Sequence, residues 1–117
     1  MTDKLTIALA QLNPTVGDFQ GNLDRLREAR ATAAEAGADL MLTSELYVCG
    51  YPPEDLVLKP MFIDSVRSAV TAFARETADG GPAVLLGAPW RGEDGRVYNA
   101  MLLIEDGTVT AERYKVD

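Results

Sequence analysis

The stretch SELYVCGYPPEDL, residues 44 to 56, gathers side-chain types that could do chemistry. Glu45 stands where an apolar run ends, and Cys49, the only cysteine in the chain, follows four positions later. A carboxylate can take and return a proton, and a thiolate is a strong nucleophile. Each residue also has a plainer reading. Burying a carboxylate beside Leu46, Tyr47 and Val48 is costly unless something pairs with it, so Glu45 is either solvated at a loop mouth or held in a site that uses it. The apolar neighbours of Cys49 favour a buried, inert thiol of the core. The chain has no histidine, which removes His-based triads and His-ligated metals from any site built by these residues alone.

The elements that must position these groups follow from pattern. At 117 residues the chain has room for one ordinary domain with a real core, not two. Its 47% apolar and 25% charged residues are those of an ordered globular protein. No apolar run approaches the ~20 residues needed to cross a bilayer, and MTDKLTIALAQLNP lacks a signal-peptide pattern. With a single cysteine, these features point to a reducing cytoplasm. A net charge of -7 without a basic cluster argues against nucleic acid or an anionic membrane as partner.

Along the chain, strand and helix patterns alternate. Residues 4–12 alternate apolar with polar or small residues and predict a strand. Asp18 or Asn22 can cap a helix running to about residue 36, with Leu23, Leu26, Ala29, Ala33 and Ala36 inward and Gly37 as its stop. Residues 39–43 predict a short central strand. Pro60 opens a second helix whose Phe62, Val66, Ala69, Val70 and Phe73 share a face. Strands are predicted over 83–90, 96–105 and 108–116, separated by turns at Asp94-Gly95 and Asp106-Gly107. Gly87 and Trp90 read as packing and loop residues. This βαβαβ order followed by a hairpin predicts an α/β protein with a mixed sheet. The final strand is left without a covering element, an edge that native proteins avoid, so a longer parent is expected.

Several segments, taken in order, carry a resemblance: IALAQLNPTVGDFQGNLDRL, ADLMLTSELYVCGYPPEDL, VLLGAPW with VYNAMLLIEDG, and YKVD. Together they resemble the first half of a carbon–nitrogen hydrolase (nitrilase) superfamily domain, an α-β-β-α sandwich. GYPPEDLVLKP is similar, within that superfamily, to the glutamine-hydrolysing NAD synthetases. The resemblance implies a Glu–Lys–Cys site in which Glu45 is the general base and Lys115 stabilises the oxyanion. It implies that the nucleophilic cysteine lies further on, absent from residues 1–117. It also implies a parent that hydrolyses glutamine and passes ammonia to deamido-NAD activated by ATP with Mg, in a separate synthetase domain, as a homo-oligomer. Two features depart from the family pattern. Ser44 stands where proline is usual, and the asparagine- and tyrosine-containing segment that follows the lysine in the family is not among these residues.

The chemistry explains the choice of residue types. A free thiol, with a pKa of ~8.5, is only slightly ionised near neutrality, so a carboxylate that takes its proton makes the nucleophile. A lysine ammonium aimed at the carbonyl oxygen stabilises the charge that develops there. The lysine would also make an apolar pocket tolerable for the carboxylate. Taken alone, Glu45 reads as a solvated strand-end acid and Lys115 as a surface lysine; the flanking motif reverses both readings. Tyr51, Pro52 and Pro53 read as turn scaffolding that aims the loop, with Tyr51 lining the substrate pocket, and Glu54 and Asp55 as first-turn acids favoured by the helix dipole.

Two other functions fit the same residues: a stand-alone nitrilase-type amidase acting on another small amide, and a non-catalytic packing or binding piece. The sequence after Asp117 separates the three, through a later cysteine and a glycine-rich ATP loop, a cysteine and then a chain end, or an early stop. Residues 1–117 alone, without a nucleophile, are expected to hydrolyse no glutamine and to associate through the uncovered edge. Cys49→Ala in the full-length protein is expected to leave glutamine hydrolysis nearly intact while costing some stability. Complete loss of activity with an unchanged fold would make Cys49 the nucleophile.

Overall fold

The computed structural model describes residues 4–15, 18–48 and 60–115. Five strands form one mixed sheet in the order β1 (Ile7–Leu9), β2 (Leu40–Leu42), β3 (Ala83–Arg91), β4 (Val97–Glu105) and β5 (Thr108–Tyr114). The first three run parallel, and β3, β4 and β5 pair antiparallel. Helix α1 (Phe19–Glu35) connects β1 to β2, and helix α2 (Pro60–Glu76) lies between β2 and β3. Right-handed crossovers made successively in one direction put both helices on the same face of the sheet. There they touch: Phe19 meets Phe62 edge-on at 5.9 Å, and Arg27 reaches Glu76.

Both helix boundaries follow from local chemistry. The Asp18 carboxylate accepts the Gly21 N–H at 3.0 Å and caps α1. At its other end Gly37, with φ +80°, turns the chain so that the Ala38 N–H reaches the Ala33 carbonyl. Leu23, Leu26 and Ala33 of α1, and Val66, Ala69, Val70 and Phe73 of α2, face the sheet. There they meet Met41, Val84, Leu86, Ala88, Trp90, Ala100, Leu102 and Ile104. Phe62 packs half-buried against this core, and Ile63 is also buried. Arg30 is a buried charge among these residues. Its guanidinium donates to both oxygens of Asp79, at 3.0 and 2.8 Å, and to the Pro82 carbonyl at 2.9 Å, so the charge is paired and its donors are used. The same pairing, with the Gly81 N–H, holds the Asp79 carboxyl well below the usual carboxylate range.

Asp106 and Gly107 both have positive φ, +52° and +91°, as a two-residue hairpin turn requires. β1 is shorter than its alternating pattern, and Leu9 on this edge strand is 67% exposed. By register, Leu9, Leu42, Leu85, Leu103 and Ala111 form one row on the face opposite the helices, and Gly87, Met101 and Arg113 the next. Among the described residues no helix lies over that face. Leu86→Ala is expected to cost about 2–5 kcal/mol in urea unfolding, whereas Met61→Ala, at a position 83% exposed, should change stability by less than about 0.5 kcal/mol. Equal losses would contradict this placement of the core.

Candidate active site

The segment that leaves β2 stays bound to β3. Thr43 donates its N–H and its hydroxyl to the Leu85 carbonyl, at 3.0 and 3.1 Å, and its oxygen accepts the Gly87 N–H at 3.0 Å. Val48 N–H then reaches the Gly87 carbonyl at 3.0 Å, and Tyr47 N–H closes on the Ser44 carbonyl at 3.2 Å. The turn so formed lies against Gly87. A β-carbon there would stand 2.3 Å from the Ser44 oxygen and 2.7 Å from the Leu46 nitrogen, so only glycine allows the approach. Leu46, at φ +52°, adopts a left-handed conformation that a leucine avoids unless its surroundings impose it.

From the helix side, Asn22 holds the same turn. Its amide donates to the Val48 carbonyl at 2.8 Å and the Thr15 carbonyl at 2.9 Å, and its oxygen accepts the Thr15 N–H at 2.8 Å. Tyr47, fully buried, donates its hydroxyl to the Asn22 carbonyl at 2.8 Å, and burial pushes its pKa up, so it remains a donor. Asn22 is therefore a buried tie between α1 and the turn, and Asp18 alone is the cap.

With Tyr47 and Val48 drawn into the core, Glu45 projects to the opposite side. Its Oε1 accepts a hydrogen bond from the Asn99 amide of β4 and lies 3.3 Å from the Lys115 ammonium. The β4–β5 pairing delivers that lysine: the Lys115 N–H donates to the Asn99 carbonyl at 2.8 Å. Glu45, Asn99, Met101, Arg113, Tyr114 and Lys115 line a depression of about 320 Å³. The Tyr114 hydroxyl donates to Glu112, which pushes its pKa up to about 12, so it cannot serve as a base near neutrality.

Two residues far apart in sequence, Glu45 and Lys115, thus meet. The Glu45 side chain is 39% exposed and that of Lys115 60% exposed; Tyr47 and Val48 turn into the core, and Glu45 turns away from it. Gly87, read from sequence as packing, is the seat of the turn. Asn99 was not singled out, since an asparagine inside an alternating strand carries no local signal of its partner. Trp90 is buried within β3, with the Arg67 guanidinium 4.6 Å over its ring. Cys49, Tyr51, Pro52, Pro53, Glu54 and Asp55 lie outside the described residues. Among the described residues no three or more His, Cys, Asp or Glu side chains gather to hold a metal ion.

Comparison with known proteins gives a consistent family likeness. The carbon–nitrogen hydrolase family model matches residues 6–117. The glutamine-dependent NAD(+) synthetase of Rhodobacter capsulatus is 43% identical over 115 residues, covering 98% of this chain and 20% of the relative. The structure of glutamine-dependent NAD+ synthetase from Acinetobacter baumannii with ADP superposes with a TM-score of 0.85 at 32% identity, over 95% of this chain and 20% of that one. A variant of the amidase from Nesterenkonia sp. AN1, with acrylamide added at its active-site cysteine, superposes with a TM-score of 0.79 at 32% identity, over 97% of this chain and 45% of that one. The chain spans about a fifth of the length of the curated relatives it matches.

Gly87→Ala tests the seat of the turn. The added carbon must displace backbone rather than a flexible side-chain end, so a loss of about 1–3 kcal/mol is expected in urea unfolding. A crystal structure of the variant should show Glu45 moved away from Lys115. An unmoved turn with unchanged stability would contradict the close approach.

Proposed function

The chain belongs to the carbon–nitrogen hydrolase family, and from that premise we propose that it forms the N-terminal portion of the glutaminase domain of a glutamine-dependent NAD synthetase. The observation that carries this reading is the meeting of Glu45, on the turn after β2, with Lys115, at the end of β5, at 3.3 Å across 70 positions of sequence. An ion pair this exposed is worth only ~0–1 kcal/mol to folding, so stability is a poor reason for holding it. Acyl transfer from an amide is a better one. Glutamine rather than another amide is supported by the curated relatives, named glutamine-dependent NAD(+) synthetases, and by the higher TM-score to the Acinetobacter synthetase, 0.85, than to the Nesterenkonia amidase, 0.79.

In this mechanism Glu45 takes the proton of a cysteine thiol, and the thiolate attacks the carboxamide carbon of glutamine. The Lys115 ammonium neutralises the oxyanion of the tetrahedral intermediate. Glu45 returns its proton to the departing nitrogen, the carbon–nitrogen bond breaks, and ammonia leaves. Water then attacks the thioester, Glu45 taking its proton, and glutamate is released with the thiol restored. The nucleophile is assigned to a cysteine beyond Asp117; the acrylamide adduct at the active-site cysteine of the Nesterenkonia amidase supports thiol chemistry in the family. Tyr51 is assigned to the substrate pocket. ATP, Mg and deamido-NAD are assigned to a synthetase domain outside this chain, which the ADP complex of the Acinetobacter relative supports; no step above runs through them. The assembled protein is assigned as a homo-oligomer.

Glu45→Gln keeps the shape of the side chain and removes the base. In the full-length protein it should lower ammonia release from glutamine by about 10²- to 10⁴-fold, while NAD synthesis from free ammonium is unchanged because ammonium bypasses the amidase site. Equal collapse of both activities with an intact fold would show that Glu45 is not confined to amide hydrolysis.

A further inference from the structure

Asn99 touches both halves of the charged pair, through different atoms. Its side-chain amide donates to Glu45 Oε1, and its main-chain carbonyl accepts the Lys115 N–H at 2.8 Å. Only the NH₂ end of an asparagine can face a carboxylate favourably, so the amide orientation is fixed by the partner. Asn99 lies in β4 opposite Pro89 of β3, two positions from Met101, whose side chain lines the same depression. It is thus built on a rigid strand, whereas Glu45 is carried by a turn.

We propose that Asn99 is a positioning residue for Glu45: its amide holds the carboxylate toward Lys115 and favours its charged form, the form that accepts a proton. The inference rests on the reading of Glu45 as the base. A neutral donor orients a carboxylate without competing for the proton. The main-chain bond to Lys115 does not depend on the side chain, so substitution at Asn99 perturbs Glu45 while leaving the anchor of Lys115 in place. The other titratable groups lining this depression are Lys115, Arg113 and Tyr114. Of these, Tyr114 stays neutral across the range in which a carboxylate titrates, its hydroxyl held protonated by the bond to Glu112.

The test is the pH profile of kcat/KM for glutamine in the full-length protein, measured for wild type, Asn99→Ala and Asn99→Asp. Removing the donor disfavours the ionised carboxylate, so Asn99→Ala should move the acid limb to higher pH and lower kcat/KM about 10- to 100-fold near neutrality. Asn99→Asp puts a like charge beside Glu45 and should move the limb further in the same direction. An unchanged acid limb in folded variants, or failure of both variants to fold, would make Asn99 a structural residue and overturn the proposal. The Glu45 carboxyl can also be titrated directly by ¹³C NMR, its resonance assigned by loss in Glu45→Gln. A wild type that releases no ammonia from glutamine would defeat the glutamine reading alone. The carboxyl titration would then decide the positioning role: a shift in Asn99→Ala upholds it and no shift overturns it.

Discussion

The missing side chain at Gly87 is the constraint on which the site depends. Because nothing projects from β3 at that point, the backbone of residues 44–46 can lie directly on the strand, and Thr43 and Val48 can bond to it on either side. Asn22 closes the same turn from α1. With both ends fixed and Tyr47 sunk into the core, Glu45 has one direction left, outward over the sheet face that carries Asn99 and Lys115. The left-handed Leu46 is the local strain that this arrangement sustains.

This division of labour separates stability from chemistry. The fully buried residues between helices and sheet hold the fold, and the buried polar groups there, Arg30 and Asn22, are paired with specific carbonyls or carboxylates. The charged pair at the other face is half exposed and adds little to folding. Among the described residues, Glu45 contacts Lys115 and the Asn99 amide of strand β4.

Much of this was legible in the sequence. The element order, the mixed sheet and the helix stop at Gly37 rest on periodicity and glycine placement, which are local signals. The pairing of Glu45 with Lys115 was legible only through family resemblance, since no spacing rule links residues on a β2 turn and the end of β5. Gly87, Asn22 and Asn99 were not legible. A glycine in an apolar strand looks like packing until the backbone that crosses it is known, and an asparagine near a helix start looks like a cap. Arg30 hid in the same way: its partner Asp79 ends a short helical turn, Thr77–Asp79, that no periodic pattern announces.

The most direct measurement is a crystal structure of the full-length protein with a non-hydrolysable glutamine analogue bound. The account predicts the carboxamide group seated in the depression beside Asn99, its oxygen within hydrogen-bond reach of the Lys115 ammonium and the Glu45 carboxylate facing the attacking thiol. An analogue bound elsewhere, with Glu45 and Lys115 still joined to each other and no thiol near them, would contradict it.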